Sequence, residues 1–173
     1  PAQTPSRSAA VDSLFSKGVL PVSGKSFVRI TEDVSSALVA MRAEAPDTMK
    51  GFSAMAQASL KAGEVDAVHK ELIALAIAVS TRCDACIGFH TKALLRLGAT
   101  RGRVGEALAV CPYVGGGPSR MYGAEATGAW DESAAAQACA TRREKNACGA
   151  GMPRRRTVGD RGGGGQYSGM PAS

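Results

Sequence analysis

A chain of 173 residues has room for one compact domain with tails and not for two full-sized ones. Hydrophobic residues make up an ordinary 45%, but aromatics are only 5% and alanine is abundant, which favours closely packed helices over sheets. The net charge of +6 divides as +1 over residues 1–40, +2 over 41–130 and +3 over 131–173, so the patterned part is nearly balanced and charge does not point to nucleic acid.

Residues 1–30 mix Pro, Ser, Gly and scattered apolar residues, with a weak amphipathic piece at Val11, Leu14 and Phe15. They read as a loose N-terminal arm packing on a neighbouring subunit. Residues 1–10 are polar and lack the apolar segment of a secretory signal, although the chain does not begin with Met and an upstream piece could precede it. Thr31, followed by Glu32 and Asp33, is the expected N-cap of a first helix running to about residue 44, where Pro46 stops it. Asp47 is the expected cap of a second helix, carrying Met49, Phe52, Met55 and Leu60 and ended by Gly63.

Asp66 is placed to cap a third helix over residues 67–80. Its Leu72, Ile73, Leu75, Ala76, Ile77 and Val79 predict burial nearly all round, and Glu71 inside that run then needs a partner. A fourth helix is expected over 81–97, closed by Gly98, and a fifth over 101–110, weakened by Gly102 and Gly105. Gly115-Gly116-Gly117-Pro118 reads as a flexible turn, with proline placed to start a last helix that ends near Trp130. Beyond Trp130 the pattern fails. Residues 131–173 hold eight of the 21 glycines, one aromatic (Tyr167) and the runs 154–156 of arginine and 162–165 of glycine. That composition predicts a disordered low-complexity tail, or coding from a shifted frame, without chemistry. The expected fold is an all-α bundle of five or six helices over residues 31–130. No apolar stretch approaches the roughly 18 residues of a membrane span.

Five cysteines are an odd number, and two of them stand three residues apart. This suits a reducing compartment with one reactive pair, so the cytoplasm is the expected location. The informative stretch is Cys83-Asp84-Ala85-Cys86-Ile87-Gly88-Phe89-His90. On a helix, Cys83, Cys86 and His90 share one face. Two cysteines so placed have Cα atoms about 5 Å apart, within disulfide range, and can cycle between dithiol and disulfide. Cys83 falls in the first turn, where the helix terminus favours thiolate, and His90 is one turn beyond Cys86 and can take its proton. Glu71, twelve residues before Cys83, can return beside the pair across a short turn as proton acceptor or as orienter of His90.

Two other uses of C-x-x-C fit less well. Half a zinc site would take His90 as third ligand but lacks a fourth, since the other histidine, His69, belongs to the far side of the third helix. A thioredoxin fold needs a strand before the motif, and residues 70–79 have no β-branched alternation. No metal or other cofactor is therefore expected. Cys111, Cys139 and Cys148 read as structural or incidental.

The run His69-Lys70-Glu71-Leu72-Ile73-Ala74-Leu75-Ala76, followed by Cys83-Asp84-Ala85-Cys86 and His90, resembles the carboxymuconolactone decarboxylase-like family, and within it the alkyl hydroperoxidase D branch. Gly115-Gly116-Gly117-Pro118 and Ala124-Glu125-Ala126 resemble it too, so the likeness spans roughly residues 41–130. The resemblance implies an all-helical homotrimer or homohexamer. It also implies a thiol peroxidase in which Glu71, Cys83, Cys86 and His90 match the catalytic positions, with a hydroperoxide as substrate and an external dithiol protein as reductant. Ala85 stands where members of that branch often carry a second histidine between the cysteines. Gly102, Gly105 and Cys111-Pro112 depart from the family's fifth helix. The family name also raises lactone decarboxylation, for which a C-x-x-C has no use, and the motif alone admits a non-peroxidatic disulfide reductase or redox sensor.

Overall fold

Helices account for all the regular structure in the computed structural model, which describes residues 24–149 and side chains to residue 143. They are α1 (Phe27–Glu44), α2 (Pro46–Leu60), α3 (Ala67–Ser80), α4 (Asp84–Arg96) and α5 (Arg101–Gly149). There is no strand among the described residues, as the composition leads one to expect. The apolar piece at Val11, Leu14 and Phe15, and the glycine- and arginine-rich stretch from residue 150, lie outside the described residues.

α5 is two limbs. Gly116 has φ 66° and ψ −157°, a conformation that only glycine adopts without strain, and the helical run folds back there. Arg101 at the start of the first limb grips Asp131 of the second, with Nε 2.8 Å from Oδ1 and a guanidinium nitrogen 3.1 Å from Oδ2. In one unbroken helix those residues would stand roughly 45 Å apart, so the limbs form an antiparallel hairpin. The turn falls at the predicted glycines. The first limb runs past Val110 through Cys111 and Pro112, and Pro118 sits in the first turn of the second limb.

The second limb corrects one expectation. It continues beyond Trp130 to Gly149, so residues 131–149 are helical where the composition predicts a tail. Its first part belongs to the body: Ser133 is buried, and Glu132 accepts hydrogen bonds from the Ser26 hydroxyl and from the Phe27 N–H at 2.8 Å. Residues 135–143 are exposed, with no apolar stripe to mark them as packed. Glu132 also explains the start of α1. Ser26, whose oxygen accepts from the Arg29 N–H at 3.2 Å, is the N-cap, five residues before the expected one, Thr31. Residues 27–30 are thus helix rather than arm. Thr31 is buried, its hydroxyl donating back to the carbonyls of Phe27 and Val28 and accepting from Lys92.

α2 begins with Pro46 in its first turn and no side-chain cap, with Asp47 one residue inside, and it ends at Leu60 before reaching Gly63. None of its residues is buried. α3 starts at its predicted cap, the Asp66 carboxylate accepting from the His69 N–H at 2.8 Å. It is not buried all round: Ile73 and Ile77 are 54% and 57% exposed. The core runs between α3, α4 and the two limbs, through Leu75, Val79, Ile87, Leu94, Val104, Leu108, Ala129 and Trp130. A fully buried Leu, Ile or Val side chain contributes about 1.5–3 kcal/mol. α1 crosses α4 at Gly88, where an added Cβ would lie 2.6 Å from Thr31 Cγ2 and 3.1 Å from the Phe27 carbonyl oxygen. That close crossing fixes the helix bearing the cysteines.

Candidate active site

α3 passes into α4 in three residues. The Arg82 N–H donates to the Val79 carbonyl at 3.2 Å and the Cys83 N–H to that of Ala78 at 3.0 Å, closing the last turn of α3. Arg82 takes a left-handed conformation, φ 59°, to make this turn. Cys83 then becomes the N-cap of α4 itself, one residue before the first helical position, and its sulfur accepts the Cys86 N–H at 3.3 Å. A cap atom at a helix N-terminus meets unpaired amides and the positive end of the dipole, so a thiolate there is stabilised.

Cys83 and Cys86 are joined in a disulfide with Cα atoms 5.2 Å apart, the separation their spacing on a helix implies. Both are half-buried, Cys86 packing against the core. One turn along, His90 Nδ1 lies 2.7 Å from Glu71 Oε2. The Glu71 carboxylate is buried on α3, and the buried acid expected to need a partner has one. Toward an ionised carboxylate Nδ1 is the donor, and in the neutral ring this arrangement leaves the Nε2 lone pair available to accept a proton. Helical side chains lean toward the N-terminus, which tips His90 back toward Cys86. Among the described residues, no three or more His, Cys, Asp or Glu gather as a metal site would require.

The other candidates are elsewhere. His69 is exposed, its Nδ1 2.7 Å from Asp66 Oδ2 and its Nε2 3.4 Å from an Arg103 guanidinium nitrogen. The backbone N–H of His69 and then its ring hold the Asp66 carboxyl below the usual range. Cys111 is buried against α3, and burial pushes its thiol up. Cys139 is exposed on the far part of the second limb. Cys148 has no described side chain.

One cluster at this end of α4 has no signature in the sequence. Lys25 Nζ lies 3.1 Å from Asp84 Oδ2 and 2.9 Å from Glu125 Oε2, and 5.1 Å from the centre of the Tyr122 ring. The acid between the two cysteines is the only hint of it, since Lys25 lies 59 residues before its partner.

The carboxymuconolactone decarboxylase family pattern matches residues 46–129, the stretch that holds Glu71, both cysteines and His90. A crystal structure of an apo carboxymuconolactone decarboxylase family protein from Legionella pneumophila is 48% identical. It superposes with a TM-score of 0.61, over 62% of this chain and 96% of that one. This chain belongs to the carboxymuconolactone decarboxylase family. An uncharacterized protein of Cupriavidus necator is 39% identical over 103 residues, 60% of this chain and 90% of the relative. Uncharacterized protein 4 of the Paracoccus denitrificans cox locus is 33% identical over 81 residues, 47% of this chain and 73% of that relative.

Proposed function

We propose that this family member is a thiol peroxidase of the alkyl hydroperoxidase D type, with Glu71, Cys83, Cys86 and His90 as its catalytic residues and no metal or organic cofactor. The observation that carries this reading is the Cys83–Cys86 disulfide one turn from a histidine whose Nδ1 sits 2.7 Å from a buried carboxylate. With the pair reduced, His90, oriented by Glu71, takes the Cys86 proton. The thiolate attacks the terminal oxygen of a hydroperoxide; the O–O bond breaks, an S–O bond forms, and the proton on His90 passes to the departing alkoxide. The products are an alcohol and a sulfenic acid on Cys86. Cys83, held as thiolate by the helix terminus, displaces hydroxide from that sulfur, which leaves as water on protonation, and the disulfide closes. A dithiol protein of a reducing cytoplasm returns two electrons and two protons by exchange.

The test is peroxide consumption with a dithiol reductant. Cys86→Ser is expected to abolish it. Cys83→Ser is expected to react once and leave a sulfenic acid that dimedone labels on Cys86. Dimedone labelling of Cys83 in Cys86→Ser at the wild-type rate would reverse the two roles, and unchanged peroxide kinetics in both variants would remove the site. Dithiol oxidation without peroxide consumption would favour a disulfide reductase or sensor. The decarboxylase reading drawn from the family name predicts instead turnover of a carboxylated lactone that survives loss of both cysteines.

Assembly is part of the proposal. Ile73 and Ile77 of α3 stand exposed, Tyr113 and Val114 of the first limb are 90% and 81% exposed, and α2 has no buried residue. A homotrimer or homohexamer would cover such a surface. Light scattering at micromolar concentration should give a trimer or hexamer mass, and a monodisperse monomer would refute it.

A further inference from the structure

Asp84 sits awkwardly in a thiol–disulfide site. A carboxylate in the first turn of α4 suits the helix dipole, but this one follows Cys83 directly and precedes Cys86 by two residues. Fixed negative charge that close disfavours thiolate. The structure does not leave Asp84 to solvent. Lys25, on the segment that leads into α1, reaches both oxygens of Asp84, at 3.1 and 3.2 Å, and Glu125 of the second limb at 2.9 Å. The Lys25 and Asp84 side chains are each 31% exposed and that of Glu125 only 15%, so the bridge is partly shielded from water. Its ammonium also lies over the Tyr122 ring.

We infer that Lys25 is a positioning residue for the Cys83–Cys86 pair: by holding Asp84 against Glu125 it cancels the carboxylate charge beside the sulfurs and anchors the first turn of α4 to the second limb. This rests on the redox reading of the site and adds to it a setting of its redox poise. The hydrogen bond to Glu125, ahead of that to Asp84, raises the Lys25 pKa above its ordinary 10.5, so the charge is present throughout the neutral range. Lys25 acts on the sulfurs through Asp84. Removing the ammonium exposes the thiolates to an uncompensated acid, disfavours the reduced form and makes the disulfide less oxidising. Removing the acid does the opposite. A bridge with only a structural role would be broken alike by either change, and the two variants would then move together.

The experiment equilibrates the full chain with dithiothreitol redox buffers and reads the fraction of disulfide by alkylation and mass of the peptide carrying Cys83 and Cys86. Each dithiothreitol oxidised to its cyclic disulfide delivers two electrons and two protons to the S–S bond, giving two thiols. Lys25→Met is expected to shift the equilibrium about 3- to 10-fold toward the disulfide, roughly 14–30 mV for a two-electron couple. Asp84→Asn is expected to shift it by a similar factor toward the dithiol. Lys25→Arg should stay within about twofold of wild type, and Lys25→Met with Asp84→Asn should return close to it. Shifts of the two single variants in the same direction, or none beyond twofold, would overturn the inference. If Lys25→Met does not fold, Asp84→Asn decides: a shift toward the dithiol supports the inference, and no shift or the reverse defeats it. A wild-type pair that shows no reversible equilibrium would defeat the redox reading, and the inference with it. A wild-type pair that equilibrates while the variants stay put would defeat the inference alone.

Discussion

The two ends of α4 are reached by the same backbone turn and used for different things. Where α3 gives way to α4, the residue in the left-handed position is Arg82, φ 59°, and the N–H groups of Arg82 and Cys83 close the preceding helix. Where α4 gives way to α5, Gly98 holds that position with φ 74°, and the N–H groups of Gly98 and Ala99 bond Leu95 and Leu94 at 3.1 and 3.0 Å. Glycine is the usual occupant of this position because it has no Cβ to strain. After Gly98 the chain tucks Ala99 into the core; after Arg82 it presents Cys83 as the cap of the next helix. The same hydrogen bonds end one helix in packing and start another in sulfur chemistry. The difference suggests that changes at the near end alter reactivity, and changes at the far end only stability.

The largest effects expected are on that reactivity. His90→Ala and Glu71→Gln should each slow sulfenic acid formation about 10²- to 10⁴-fold, as loss of a general base or of its orienter does. Gly98→Ala should leave that rate at the wild-type value, because it touches nothing near the sulfurs. A comparable slowing in Gly98→Ala, measured in single-turnover reactions with peroxide, would dissolve the distinction between the ends.

Next in size is the middle of the helix. Gly88 lies between Cys86 and His90, and a methyl group there would meet Thr31 Cγ2 at 2.6 Å and the Phe27 carbonyl at 3.1 Å. Gly88→Ala is expected to cost about 1–3 kcal/mol, read by denaturant unfolding, because the α1–α4 crossing must open. Full stability in this variant would mean that α1 does not fix the position of α4. Glu132→Gln, which weakens the acceptor for the Phe27 N–H at the start of α1, should cost about 1 kcal/mol, and unchanged stability would show that the cap is idle.

What could be read from the sequence follows from the range of each interaction. Asp66 capping α3, Gly98 ending α4 and the turn at Gly115–Pro118 are local, and each is found at its predicted place. The spacing of Cys83, Cys86 and His90 is local as well. Small local errors shift the start of α2 from Asp47 to Pro46 and that of α4 from residue 81 to Asp84, and the larger ones fall where a distant residue decides. Ser26 rather than Thr31 starts α1 because Glu132, 106 residues away, completes the cap. The same contact holds the second limb beyond Trp130, where composition alone suggests a tail. Ile73 and Ile77 are as apolar as Leu72 and Leu75 but lie on the face of α3 away from α4 and α5, a distinction that hydrophobicity by itself does not make. Lys25 meets Asp84 only through tertiary structure.

The smallest effect separates the two turns most cleanly, because it should change sign between them. No atom lies within 4 Å of where a Cβ on Gly98 would point, so Gly98→Ala introduces backbone strain without a clash. It should destabilise by about 1–2 kcal/mol, the cost of a left-handed L-residue. Arg82 already bears that strain, and its side chain is exposed, so Arg82→Gly should relieve it. The gain is offset in part by the extra freedom of glycine in the unfolded chain, leaving about 0.5–1 kcal/mol of stabilisation. Denaturation midpoints at unchanged slope, measured on the disulfide form of both variants, read the difference. Opposite signs would mean that the left-handed arginine is tolerated strain at the entry to the cysteine pair. Destabilisation by Arg82→Gly would mean that the arginine side chain stabilises the turn through contacts of its own, and that the two ends of α4 are held by different means after all.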